Sequence, residues 1–245
     1  MNKSRETLVL IPAYKEEKYL LGVIKNINFK NMQILLVWDI PNKKDLKILL
    51  SYNFPNLRII VRNSRSGVGS AIMEGINYAL KHKYDNLIVM AGNGKDDPKE
   101  IPKFLNLLNS GKVDYIQGSR WISGGLSENL PNLRRVIIKI LALCWSVILG
   151  KRITEVTNGF RGFNVGIFQN YRIKWNLVAF AGYELEYYLN YAIIHEGYRH
   201  KEVGVSKKYV PNVVHSKIKL RDAFQILGPL VQTPIFHYIY NRQKS

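Results

Sequence analysis

The sequence predicts an α/β fold, a mostly parallel central sheet flanked by helices, and three patterns predict it. Short, wholly apolar runs such as Leu8–Pro12 and Ile34–Trp38 suit strands buried on both faces. Between them, apolar residues recur at three- and four-residue spacing, the period of amphipathic helices. The apolar runs end in polar loops, several of them rich in glycine, as ligand-facing loops of open sheets do.

Leu8–Pro12 is the first strand, and Tyr19, Leu20, Val23, Ile24 and Ile27 give the next helix one apolar face. Ile34–Trp38 is the second strand, closed by Asp39; a short helix covers Lys44–Tyr52, and Arg58–Val61 is the third strand. Ala71, Ile72, Gly75, Ile76, Ala79 and Leu80 mark the following helix. The strand Asn86–Ala91 then runs into Gly92-Asn-Gly-Lys-Asp-Asp-Pro98, and Pro98 suits the first turn of a helix reaching about Asn109. A strand at Asp114–Gln117 ends the regular half. The second half holds a helix over Ile137–Leu149, a loop over Thr157–Phe163, a helix over Tyr183–His195, a strand near Glu202–Val205 and the basic stretch Ser206–Lys219. The tail from Ala223 to Tyr240 is apolar, and Pro229 and Pro234 are expected to break it. No linker separates the halves, so residues 1–220 read as one domain and 221–245 as a C-terminal amphipathic, apolar extension.

Thirty-six Lys and Arg against 18 Asp and Glu give a net charge of +18. That excess implies a polyanionic partner: phosphorylated substrates, an anionic membrane face or nucleic acid. An RNA-binding module is disfavoured because the strands are uniformly apolar and the polar motifs sit on loops. The single cysteine, Cys144, excludes an internal disulfide and fits a cytoplasmic location. Val136–Leu149 is too short to span a bilayer and suits a core or interfacial helix.

Generic motifs are mostly excluded. Gly67-Val-Gly69 lacks the third glycine of a dinucleotide fingerprint, no GxxxxGK[ST] loop exists, and the five histidines show no metal-ligand spacing. What remains is a set of polar marks at strand ends: Pro12-Ala-Tyr-Lys-Glu-Glu17, Asp39, Arg65-Ser-Gly-Val-Gly-Ser-Ala71, Gly92–Pro98 and Gly118-Ser-Arg120. On one edge of a parallel sheet these would converge.

Taken together, these motifs resemble family 2 glycosyltransferases of the GT-A (nucleotide-diphospho-sugar transferase) fold, close to the polyprenyl or dolichol phosphate mannosyltransferase branch. The resemblance runs from Leu8 to about Lys217. It implies donor contacts from Pro12, Ala13, Tyr14 and Glu16, from Asp39 to the base, and from Gly67, Gly69, Ala71, Gly92 and Asn93. Arg120 and Arg161, the latter in Asn158-Gly-Phe-Arg161, fall on arginine positions suited to phosphate. Glu184 of Tyr183-Glu-Leu-Glu186 would face the sugar, since Glu184 and Glu186 are two apart and are not both expected to point inward. Lys207, Lys208, His215, Ser216 and Lys217 fall where relatives bind the acceptor phosphate. The implied reaction is inverting sugar transfer from a nucleotide diphosphate to a lipid-linked, membrane-proximal acceptor such as a polyprenyl phosphate. Its setting would be surface polysaccharide or glycolipid assembly, peripheral on the inner membrane face. A nucleotidyltransferase and a catalytically altered nucleotide-sugar-binding homologue are the alternatives.

One departure stands out. The family places Asp-x-Asp where this chain has Ala91-Gly92-Asn93, and an amide is a weak ligand for a hard cation. Either Asn93 with Asp96 or Asp97 rebuilds a Mg²⁺ or Mn²⁺ site, or Lys95 neutralises the diphosphate as a point charge.

Overall fold

The computed structural model describes residues 6–27, 31–209 and 223–242. The apolar runs become β1 (Thr7–Tyr14), β2 (Met32–Asp39), β3 (Leu57–Arg62), β4 (Asn86–Val89), β5 (Tyr115–Ser119) and, later, β8 (His200–Gly204). With β7 (Arg161–Asn164) they form a seven-stranded sheet in the order β3-β2-β1-β4-β7-β5-β8. All its pairings are parallel except those of β7, which runs antiparallel between β4 and β5. A two-stranded ribbon pairs β6 (Leu126–Glu128) with β9 (Ser206–Lys208).

Strand alternation divides the core into two layers. Leu8 and Leu10 of β1 and Leu35 and Val37 of β2 pack under α3 (Val68–Lys81), α5 (Asn132–Leu149) and α6 (Glu184–His195). Val9, Ile11, Ile34, Leu36 and Trp38 point the other way, against α1 (Glu17–Lys25), α2 (Lys43–Ser51) and α4 (Ile101–Asn109). Asn42 caps α2, its side chain accepting from the Lys44 N–H at 2.8 Å.

Three expectations are corrected. The stretch expected as a loop over Thr157–Phe163 contains β7; at four residues with Gly162 inside, it carries no period-2 signal. The helix expected from Ile137 begins at Asn132, just after Pro131, whose fixed φ suits a helix entrance. The C-terminal segment is one helix, α7 (Ala223–Arg242), and runs through Pro229 and Pro234. Its packing against the body supplies what two lost backbone hydrogen bonds remove: Phe236 lies 4.5 Å from the Phe180 ring, and His237 Nε2 is 2.9 Å from Glu196 Oε1. No helix among the described residues is long and apolar enough to cross a membrane.

The start of α3 lies close against residues 180–182. Ser70 N–H donates to the Ala181 carbonyl at 3.0 Å, and a Cβ on Gly69 would collide with the Phe180 and Gly182 carbonyl oxygens. Gly69→Ala should therefore lower unfolding free energy in urea by about 2 kcal/mol or more, despite alanine's better helix propensity. Gly22→Ala, in α1 with no atom within 4 Å of the added Cβ, should raise it by about 0.5–1 kcal/mol.

Candidate active site

The chain winds β1-β2-β3 in one direction and then returns to place β4 on the other side of β1. This order reversal opens a crevice beyond the carboxyl ends of β1 and β4. A cleft of about 460 Å³ lies there.

One wall comes from β1 and β2. Pro12, Ala13, Tyr14 and Asp39 line it together with Arg62 and Arg65. Asp39 is buried; it pairs with Arg62 Nε and accepts the Ser66 N–H at 2.9 Å. The Arg65 guanidinium lies 4.9 Å over the Tyr14 ring, a flat cationic pair at the cleft mouth. Gly67 and Ala71 also face the cleft, whereas Gly69 packs under residues 180–182.

The loop after β4 forms the floor. Ala91, Asn93 and Lys95 line the cleft; Gly92 is buried beneath, where a Cβ would lie 2.8 Å from Glu16 Oε2. Asn93 Oδ1 accepts the Lys95 N–H at 3.1 Å. Asp96 is 2% exposed, and both its oxygens are engaged: Oδ2 accepts the Ala91 N–H at 3.1 Å, and Oδ1 takes Lys207 Nζ at 2.7 Å. Asp97 lies outside the cleft lining and caps the short 3₁₀ turn Pro98–Glu100 by accepting the Lys99 N–H.

This donor set does not fit a divalent metal. The Asp96 carboxylate is committed to a lysine, Asp97 is a cap and Asn93 is the hinge of a turn. Lys95 and Lys207 stand in the same space, and burial lowers the Lys95 ammonium, with Lys207 and then Arg134 adding to it. A hard cation seeks six or so oxygen ligands and net negative charge. Nearby Glu16 is pushed up to about 7 by burial, against the pull of Lys95; Asp96 and Glu17 push it further and Asn93 hydrogen-bonds it. Its Oε2 has no hydrogen-bond partner among the described residues.

The opposite wall carries carboxylates. Glu184 and Glu186 both line the cleft, unlike the expectation of one. The reason is that α6 meets the cleft with its N-terminal end, so its first turn surrounds the opening instead of presenting one face. Glu186 is buried beside Arg161, and Glu184 is exposed.

Arg120 and Arg161 do not line the cleft; both are spent inside the protein. Arg120 binds Glu155, the Tyr209 hydroxyl and Thr157 Oγ1 at 2.6–2.9 Å. Arg161 donates to Gln117 Oε1 and to the carbonyls of Asn158, Glu186 and Val156. They brace residues 155–158 against Tyr209 and the first turn of α6. The cleft's cations are instead Lys95, Lys207, Arg134, Arg65 and Arg62, the last of them paired with Asp39. Arg134, in the first turn of α5, was the least visible in sequence. Its signal is electrostatic: two arginines at a helix start oppose the dipole, which an adjacent anion would relieve. Tyr209, 5.2 Å from Lys95 Nζ and 5.6 Å from the Arg134 guanidinium, joins them. His215, Ser216 and Lys217 lie outside the described residues. A separate group, His195, Glu196 and His237, brings three ligand atoms within 4.8 Å at the other end of α6, where Arg172 shares the carboxylate at 3.3 Å.

A crevice at a sheet switch point, lined by several lysines and arginines together with carboxylates, is the plan of a nucleotide-diphospho-sugar transferase. The chain's fold is similar to that of Staphylococcus aureus TarS 1–349 (TM-score 0.55, 12% identity, 98% of this chain and 73% of that one). It is similar too to that protein in complex with UDP (TM-score 0.54, 13% identity). The fold is GT-A. The family model described as glycosyl transferase family 2 matches residues 8–176, and the chain belongs to that family. At 26% identity over 233 residues it is similar to the polyprenol monophosphomannose synthase of Mycolicibacterium smegmatis, covering 89% of this chain and 87% of the relative. It is 30% identical over 160 residues to the dolichol-phosphate mannosyltransferase of Pyrococcus furiosus, covering 63% of this chain and 44% of that one. The protein is a glycosyltransferase.

Two stability measurements test the electrostatics. Asp96→Ala leaves Lys207 buried without its carboxylate and should cost about 3–5 kcal/mol in chemical denaturation; Lys95→Ala, which removes a desolvated ammonium, should cost under about 0.5 kcal/mol or stabilise. Glu16 ionises near the ordinary carboxylate value of 4.5 in the unfolded chain, and burial pushes it up to about 7 in the folded protein. Its stabilising contribution is therefore complete below the lower value and lost as pH rises between them. Glu16→Gln should gain on wild type across that window, by about 3 kcal/mol at pH 8 relative to pH 4.5, measured by denaturant titration at each pH.

Proposed function

We propose that this glycosyltransferase moves a sugar from a nucleotide diphosphate to a lipid-linked phosphate, such as a polyprenyl phosphate, at an anionic membrane face. The observation that carries the reading is the charged lining of the cleft, which brings Lys95, Lys207 and Arg134 together with Glu184 and Glu186. The names of the relatives, a polyprenol monophosphomannose synthase and an undecaprenyl-phosphate mannosyltransferase of Micrococcus luteus (26% identity over 152 residues, 62% of this chain and 61% of that one), support the acceptor class.

In this reading the base sits between Asp39 and the Tyr14–Arg65 pair, and the diphosphate runs over Gly67 toward Lys95. The sugar lies under the first turn of α6, its hydroxyls donating to Glu184 and Glu186. The acceptor oxygen attacks the anomeric carbon from the face opposite the leaving group, a new C–O bond forms, and the electron pair of the breaking C–O bond stays on the diphosphate. That step inverts the anomeric centre. A phosphate acceptor is already an anion and gives up no proton; a hydroxyl acceptor would pass its proton to one of the two glutamates. Arg120 and Arg161 act as positioning residues.

Helix α5 supports the membrane part. Leu133, Val136, Ile140, Leu143 and Val147 form an exposed apolar stripe, bordered by Arg135, Lys139, Lys151 and Arg152. Apolar residues beside basic ones suit the interface of an anionic bilayer, with the protein peripheral on the inner face.

The test is product analysis with GDP- and UDP-sugars, polyprenyl phosphate and anionic vesicles. Sugar should appear in the lipid fraction with release of nucleoside diphosphate; release of pyrophosphate would instead mark a nucleotidyltransferase. Leu143→Glu with Val147→Glu should lower transfer on vesicles roughly tenfold and leave transfer to a short, water-soluble acceptor phosphate unchanged.

A further inference from the structure

The misfit between the loop after β4 and a divalent cation has a positive counterpart. Lys95 is half-buried, faces the cleft, and among the described residues makes no salt bridge; the Tyr209 ring lies 5.2 Å from its ammonium, and Glu16 and Asp96 act on it from a longer range. Lys207 stands close by, held rigidly by Asp96 at 2.7 Å and Asn158 Oδ1 at 2.8 Å. Arg134 closes the group from α5. Three cations converge here, and of the carboxylates around them Asp96 is already consumed by Lys207 and Glu186 lies beside Arg161. Cations gathered in this way form a site that a diphosphate would complete.

We propose that Lys95 and Arg134, with Lys207 as a fixed third charge, form a metal-free diphosphate site, so that protein cations stabilise the leaving diphosphate in place of a divalent ion. This rests on the sugar-transfer reading and gives that reaction its electrophilic partner. As the anomeric C–O bond breaks, the electron pair settles on the β-phosphate oxygen, and charge grows there. Lys95 meets it as a preorganised cation in a partly desolvated pocket, where such an interaction is strongest. No proton need move to the diphosphate, and no ion need be recruited. Ala91 follows from the same logic: an aspartate in its place would add a second carboxylate that Lys95 would have to neutralise.

The experiment is calorimetric binding of UDP and GDP to the purified protein in EDTA and in MnCl₂, with uridine and guanosine as phosphate-free controls. The better-bound nucleotide should bind in EDTA with an affinity within about twofold of that in Mn²⁺. Lys95→Ala should weaken the diphosphate roughly 10–100-fold and leave the nucleoside unchanged; Lys95→Arg should restore part of the loss. The combined substitution Ala91→Asp, Asn93→Asp and Lys95→Ala should convert binding to Mn²⁺ dependence. Loss of binding in EDTA with rescue by Mn²⁺, or full affinity in Lys95→Ala, would overturn the metal-free site while leaving the transferase reading standing. Binding of neither nucleotide under either condition would overturn both. Lys95→Ala retains the Asp96–Lys207 pair, and its unfolding curve separates a lost contact from a lost fold.

Discussion

The buried ion pair between Asp96 and Lys207 holds together three segments far apart in sequence. Asp96 anchors its own loop by accepting the Ala91 N–H, and Lys207 continues to Asn158, in the turn before β7. The backbone follows the same join, for Lys208 N–H donates to the Lys95 carbonyl at 3.1 Å. Floor, back wall and ribbon of the cleft are thus clamped by one pair of charges. Desolvating both ions is costly, and a well-packed apolar pair could be as stable. What the ions add is position: the loop after β4 can take one conformation in which Asp96 reaches both partners, and that conformation presents Lys95 to the cleft.

The two buried arginines extend this principle. Each guanidinium spreads its fork over several acceptors, which is how so large a cation is kept inside a protein. Arg120 is neutralised by Glu155, whose other oxygen accepts the Val156 and Thr157 N–H groups. Arg161 shares Gln117 with the Tyr115 hydroxyl and Asn190, and fixes the backbone of Glu186 from behind. The cleft's charged lining is therefore backed by a layer of hydrogen-bonded polar groups.

The strands, the helices of the first half and the loop edge of the sheet were legible because each has a strong local signature: doubly buried strands are continuously apolar, and ligand loops follow them. β7 was not legible, because a four-residue strand between two others is specified by its neighbours' hydrogen bonds and by Phe163 packing on Tyr115, not by its own pattern. The continuous course of α7 through two prolines is likewise a tertiary effect. Charge was the harder reading. Sequence marks Arg120, Arg161 and Lys95 as candidate cations and leaves Arg134 unmarked; only the fold shows that the first two face inward while Lys95 and Arg134 face the cleft. The paired glutamates illustrate the same limit, since helical periodicity describes a helix seen from the side, and α6 meets the cleft end-on.

The position of α5 ties these features to the overall charge. Its apolar stripe runs from Leu133 to Val147, about 21 Å along the helix, and Arg134 lies beside the first residue of that stripe. A cation proposed to face the diphosphate is therefore within one helical turn of the surface proposed to meet the membrane. A lipid phosphate whose chain stayed in the bilayer would have its headgroup near the level of the cleft mouth and would need no extraction into water. The basic residues beside the stripe, Arg135 and Lys139, would concentrate anionic headgroups at that entrance, while the deeper cations bind the donor. On this view the excess of lysine and arginine is divided between two jobs set by depth: exposed cations gather an anionic surface, and the partly desolvated Lys95 waits for the charge that the reaction creates.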